Sequence, residues 1–158
     1  MAYAQDYDAI IAAPFGRVGI VMRDDTLADV SFLFGSSPLV APKTPAARRV
    51  CAQLHAYFQN PRKRLGVRLA LEGTPFQQRV WRALRRIPSG QVTGYGALAR
   101  RINSSARAVG NACRANPVPI VVPCHRVVAA NGDGGFMGKR GGRALDLKRW
   151  LIAHERSR

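Results

Sequence analysis

Between Gly73 and Thr74 the sequence switches from short β-favouring runs to amphipathic helical segments, and this switch restricts the chain to two small lobes of different architecture. Ahead of it, residues 7–12, 18–22 and 28–33 are strand-like. They are separated by Pro14-Phe15-Gly16-Arg17 and Asp24-Asp25-Thr26, whose turn chemistry predicts an antiparallel meander. From Pro45 to Gln59, Val50, Leu54, Tyr57 and Phe58 recur at helical spacing, so a helix is expected to cover one face of that meander. Asn60-Pro61 ends it, and the alternation of Val67, Leu69 and Leu71 predicts one more short strand. A chain of 158 residues is long enough to bury a real core, and no internal repeat or low-complexity segment interrupts it.

After the switch, Thr74-Pro75-Phe76-Gln77 supplies an N-cap hydroxyl, a proline at the first helical position and a glutamine at N3. Phe76, Val80, Trp81, Leu84 and Ile87 follow as an apolar stripe, with Arg79, Arg82, Arg85 and Arg86 on other faces, until Pro88-Ser89-Gly90 stops the helix. Two short helices are predicted next, over 95–102 and 105–114, with a turn at Asn103-Ser104 and a cap from Ser104 or Ser105; their length and spacing suit a helix-turn-helix. The second is nearly without bulk. Ala106, Ala108, Gly110, Ala112 and Cys113 leave one side small, and Arg107 and Arg114 are its long side chains. Such a face permits close backbone approach without strong sequence preference, because a groove-reading helix would aim Asn, Gln and Arg at base edges. Tight helix–helix packing is the competing account. The expected fold class is α/β (α+β): an N-terminal α/β lobe of antiparallel sheet plus helix over 1–73, then a mainly helical lobe over 74–158.

Charge follows the same division. The formal net charge is +16, and residues up to Gly73 contribute 9 basic and 6 acidic side chains against 16 and 3 from Thr74 onward. A segment so basic repels itself unless a polyanion neutralises it, and nucleic acid is the commonest one; an anionic membrane surface or plain solubility is the alternative. No basic-then-apolar leader opens the sequence, and no apolar run approaches the roughly 20 residues of a membrane span, so a soluble cytoplasmic protein is expected. Cys51, Cys113 and Cys124 are too few and too odd for a disulfide scaffold and read as reduced thiols.

Pro123-Cys124-His125-Arg126 concentrates the reactive chemistry. It follows the apolar run Val118-Pro119-Ile120-Val121-Val122, which reads as a buried strand, and places a thiol beside an imidazole and a guanidinium. The thiolate is the nucleophile, and an unperturbed cysteine with pKa about 8.5 is little ionised near neutrality, so His125 and Arg126 offer the electropositive setting a reactive thiol needs. Cys124 as a buried hydrophobe and His125 as a core histidine is the alternative from these residues alone.

The stretch from Asn116 to Val128 resembles the active-site signature of the O6-alkylguanine-DNA alkyltransferases, the methylated-DNA-protein-cysteine methyltransferases. The resemblance extends in family order through Gly73-Thr74-Pro75-Phe76-Gln77-Gln78-Arg79-Val80-Trp81, Ile87-Pro88-Ser89-Gly90, Tyr95-Gly96-Ala97-Leu98-Ala99, Arg107-Ala108-Val109-Gly110-Asn111-Ala112 and Trp150-Leu151-Ile152-Ala153-His154-Glu155. Before Gly73 it is one of layout only. It implies a ribonuclease-H-like N-terminal lobe and a winged-helix-like C-terminal lobe. It makes Cys124 the alkyl acceptor, His125 a base acting through water, and Glu155, one of only two Glu residues, the group that orients His125. Adjacent residues on a strand face opposite ways, which agrees with a bridging water between Cys124 and His125. Asn116 is implied to brace the active-site turn, Tyr95 to hydrogen-bond the bound base and help protonate the leaving guanine, and Arg107 to fill the gap left by the extruded lesion.

Ala106, Ala108, Gly110, Arg114 and Arg126 complete the implied DNA surface, together with Tyr95, on double-stranded DNA carrying O6-alkylguanine and approached from the minor groove. O4-alkylthymine is a further possible substrate. A monomer is expected, with no cofactor and no metal. The structural zinc of some relatives is not expected, because the first lobe offers only Cys51 and His55, at i, i+4, which read as helix packing residues. Met137-Gly138-Lys139-Arg140-Gly141-Gly142-Arg143 departs from the family pattern as a basic insertion near the alkyl pocket, and no binding role is assigned to it. A non-enzymatic, alkyltransferase-like lesion binder would lack the acceptor cysteine that is present here, and a Cys-His hydrolase would show no affinity for DNA.

Overall fold

A computed structural model describes residues 6–130, 132, 134–138 and 141–157, and the chain divides between Leu71 and Glu72 into two compact units. In the first, strands β1 (Ala9–Ala13), β2 (Gly16–Arg23) and β3 (Thr26–Leu33) form an antiparallel sheet in the order β1-β2-β3. Its register pairs Ile10 with Gly19 and Ile20 with Val30, which keeps Val18, Ile20, Leu27 and Val30 in the core. Helix α1 (Pro45–Gln59) packs on that sheet through Ala47, Val50, Cys51, Leu54 and Tyr57. Its start is set locally, since Thr44 Oγ1 accepts from Ala47 N at 3.1 Å and Pro45 needs no donor there. The short strand expected over 67–71 does not form. Leu27 N bonds Arg68 O at 2.9 Å and Leu69 makes an isolated parallel bridge to Leu27, so only one residue of the alternating run reaches the sheet.

The second unit begins with α2 (Pro75–Arg85), whose capping box is complete: Gln77 N donates to Thr74 Oγ1 at 3.0 Å and Thr74 N to Gln77 Oε1 at 2.9 Å. Strand β4 (Thr93–Gly94) leads into α3 (Tyr95–Arg101), and α4 (Ala106–Arg114) follows across a turn at Asn103, whose φ is 56°. Ser105 is the α4 cap, its Oγ accepting from Ala108 N at 3.2 Å. Trp81 Nε1 donates to Ala112 O at 2.9 Å, which fixes α4 against α2. Strand β5 (Val127–Val128) pairs in parallel with β4, Thr93 opposite Val127, and α5 (Gly142–Arg156) closes the unit with Leu147, Lys148, Leu151 and Glu155 buried. The mixed α/β architecture is thus the expected one. Among the described residues no helix is long and apolar enough to cross a membrane.

Candidate active site

The apolar run before Cys124 is a buried turn, which corrects the strand expected there. Pro117, Pro119 and Pro123 cannot donate to a ladder, and Val122 N instead bonds Val118 O at 2.9 Å while Ile120 takes a φ of 75°. Positive φ in a β-branched residue is strained, so something must hold the turn. Asn116 does so from both ends: its Nδ2 donates to Val122 O at 2.8 Å and its Oδ1 accepts from Val118 N at 3.0 Å. Cys124–Arg126 then form one 3-10 turn. With three residues per turn, successive side chains diverge by a third of a revolution, so Cys124 and His125 point apart without being on opposite faces.

His125 is fully buried and its Nε2 lies 2.8 Å from Glu155 Oε2. Burial alone would raise the Glu155 carboxyl, but the hydrogen bonds from Arg126 and His125 outweigh it and hold the group well below the usual carboxylate range. An ionised carboxylate only accepts, so Nε2 carries the ring proton. The other ring nitrogen, Nδ1, is left as the lone-pair site; it is buried and has no hydrogen-bond partner among the described residues. Burial also lowers the His125 pKa against the raising effect of Glu155, which keeps the ring neutral with its lone pair at Nδ1.

Arg126, expected on the DNA surface, is turned into this network instead of standing exposed. Its side chain is only 12 % exposed, its Nε and one terminal nitrogen clasp the two Glu155 oxygens at 2.8 Å each, and the other donates to Ile87 O at 2.6 Å. Each of the three guanidinium nitrogens donates inside the protein, and the bidentate fork is given to Glu155.

Burial pushes the Cys124 thiol up, while the Asn116 side-chain hydrogen bond and the Lys148 charge pull it down. Lys148 was not singled out by the sequence. It is fully buried, donates through Nζ to Val127 O at 2.7 Å and Gly135 O at 2.9 Å, and lies 5.7 Å from the Tyr95 ring centroid. The available signal was its place on the buried stripe of α5, with Leu151 at i+3 and Glu155 at i+7, where a charge is unusual. Tyr95, the first residue of α3, is carried toward the Cys124 turn by the β4–β5 pair. Burial, then the nearby Cys113 and Cys124, push its phenol up to about 12, so it stays a donor. Gly134, with φ +75°, packs so closely that a Cβ there would meet Tyr95 Cε2 at 3.0 Å.

On α4, Val109, Ala112 and Cys113 face the core, Ala106, Arg107 and Arg114 are exposed, and Ala108 and Gly110 are half-buried. A Cβ at Gly110 would meet nothing within 4 Å, so the Ala106, Ala108 and Gly110 part of the small-residue set is left uncovered, while Ala112 and Cys113 are taken up by packing in the core. Met137 is exposed, and Gly138 backs onto the Arg114 stem; Lys139 and Arg140 of the basic insertion lie outside the described residues. Cys51 is buried but His55 is exposed, so only the first is a packing residue; the polar imidazole tip has no core contact to make. Among the described residues no three of His, Cys, Asp and Glu come together as a metal-holding group.

Residues 75–157 match the family model described as 6-O-methylguanine DNA methyltransferase, DNA binding domain. A methylated-DNA–protein-cysteine methyltransferase of Methanosarcina acetivorans is 39 % identical over 96 % of this chain and 99 % of its own length. The crystal structure of a Mycobacterium tuberculosis O6-methylguanine methyltransferase superposes with a TM-score of 0.79 at 36 % identity, covering 94 % of this chain and 92 % of that one. That organism's OGT in complex with DNA gives 0.78 at 37 % identity, over 93 % and 91 % of the two chains. With the cysteine, imidazole and carboxylate assembled inside the matched domain, the chain belongs to the methylated-DNA–protein-cysteine methyltransferase family.

Proposed function

We propose that the protein repairs DNA by direct reversal, with Cys124 taking the alkyl group from O6-alkylguanine in a duplex. The observation that carries the reading is the Glu155-locked His125: its tautomer leaves Nδ1 as the base, in the same 3-10 turn as the Cys124 thiol. His125 draws the thiol proton through a bridging water, and Glu155 balances the imidazolium that results. The thiolate sulfur attacks the alkyl carbon in line with the departing O6. The S–C bond forms, the C–O bond breaks, and guanine leaves with a proton supplied from the side of Tyr95, whose phenol is held protonated. The thioether product has no good leaving group, so each molecule reacts once.

The alkyl carbon lies inside the base stack, so the nucleotide must rotate out before a protein sulfur reaches it. Unstacking costs a few kcal/mol, and Arg107, exposed on α4, offsets part of it by filling the gap. Ala106, Ala108 and Gly110 let the α4 backbone approach the minor groove closely, with Arg114 at the other end of the helix. The protein acts as a monomer in the cytoplasm. Intact-protein mass spectrometry after mixing with a duplex containing O6-methylguanine tests the mechanism: one methyl is expected, located on Cys124, and none in Cys124→Ala. A methyl that survives this substitution sinks it.

A further inference from the structure

The structure points to a second DNA-binding surface, formed by one stripe of α2 and the end of α3, that grips duplex phosphates flanking the lesion while α4 addresses the lesion itself; this rests on the repair reading above. Arg79, Arg82 and Arg86 recur at i, i+3 and i+7 across α2 and its C-cap, all exposed, on the side opposite the buried Val80 and Leu84. Arg79 donates to Ile102 O at the end of α3, beside the exposed Arg100 and Arg101, so the stripe runs on into the helix-turn-helix. A guanidinium has five donors, and one bond to a neutral carbonyl orients it while leaving others to offer.

Between Glu72 and Asp133 the sequence contains no carboxylate, so α2, α3 and α4 hold nothing of opposite sign. Like charges at i, i+3 and i+4 weaken a helix, as at Arg79/Arg82 and Arg82/Arg86. The helix dipole favours Arg82 near the C-terminus but does nothing for Arg79 in the middle. A solvated surface helix would interleave Glu with these arginines. Arginine forks match phosphate oxygens, and the stripe covers about 10 Å of helix axis, roughly three base-pair steps of one strand. A duplex backbone is the polyanion whose charge spacing fits.

Affinity for a short undamaged duplex, measured by fluorescence anisotropy across a salt series, tests this. For Arg82→Gln/Arg86→Gln, loss of two phosphate contacts lowers the slope of log affinity against log salt by about 1.8 and the affinity by on the order of 60-fold at 0.1 M salt. Arg48→Gln/Arg49→Gln, two exposed positions on α1 with the same charge change, serves as the matched pair and should shift both quantities far less. Melting curves of both doubles verify that they fold. Equal effects of the two pairs overturn the surface and leave it a solvated helix face, with the repair reading intact. A wild type that ignores duplex at all salt concentrations overturns both.

Discussion

The second unit holds its charges in two settings. Inside, His125, Glu155, Arg126 and Lys148 are buried or nearly so, and every charge has named acceptors or donors at 2.6–2.9 Å. Outside, Arg82, Arg86, Arg100, Arg101 and Arg107 stand exposed on helices that contain no carboxylate. Burial makes an unmatched charge prohibitive, so the inner set is complete by itself. Water makes an unmatched charge cheap, so the outer set can remain unneutralised until a polyanion arrives. On the proposed reading, the inner residues serve folding and chemistry together and the outer ones serve binding alone.

Breaking the inner set should have the largest effect. Glu155→Ala strands Arg126 and releases His125, and we expect a loss of about 3–5 kcal/mol in urea unfolding together with collapse of alkyl transfer. The pH dependence has a definite sign. Glu155 is held well below its unfolded value, about 4.3, so its contribution is fully present above that pH and is lost as acid carries the protein down through the depressed folded value. His125, pushed down by burial from about 6.5, acts in the same sense, losing stability on acidification. Glu155→Gln should therefore flatten the acid limb of a stability-against-pH curve.

Lys148→Met comes next. It leaves the carbonyls of Val127 and Gly135 without their buried donor, at about 1–3 kcal/mol, and removes a charge that holds the Cys124 thiol down. The pH midpoint for Cys124 reaction with a small alkylating reagent should move upward; an unmoved midpoint would reduce Lys148 to a structural staple. Gly90→Ala should cost about 1–2 kcal/mol, because φ is +90° and the new Cβ would lie 3.2 Å from Glu155 O, pressing on the helix that carries the carboxylate. The smallest folding effect belongs to the outer set. Arg107→Ala should leave stability within about 0.5 kcal/mol, weaken transfer from a duplex lesion, and spare transfer from free O6-alkylguanine base. Equal loss on both substrates would move Arg107 from the DNA surface into the fold and blur the division.

The parts legible in the sequence were those with local causes. The start of α2 is legible because Thr74, Pro75 and Gln77 act within four residues of one another, and α1 is legible for the same reason, while the α4 cap is narrowed to Ser104 or Ser105, of which the structure selects Ser105. The turn at 118–122 is not legible because apolar β-branched residues suggest a strand, while the Asn116 side chain that bonds both ends of the loop leaves no trace in hydrophobic pattern. The inward turn of Arg126 is not legible because adjacency to a motif says nothing of direction, and the burial of Lys148 is not legible because lysine is ordinarily solvated.

The sequence alone determined the meander, helices α1 to α4, a cysteine with its neighbouring imidazole, and a carboxylate-free basic stretch suited to a polyanion. Periodicity, caps and net charge need only near neighbours or simple counting. Only the tertiary structure decided which charges turn inward and which His125 nitrogen keeps its proton. Those outcomes depend on α5 returning Glu155 to residues 30 and 29 positions earlier in the chain, and on Lys148 reaching carbonyls on two separate segments. Burial then penalises every arrangement except the fully bonded one, and no local pattern encodes that long-range closure.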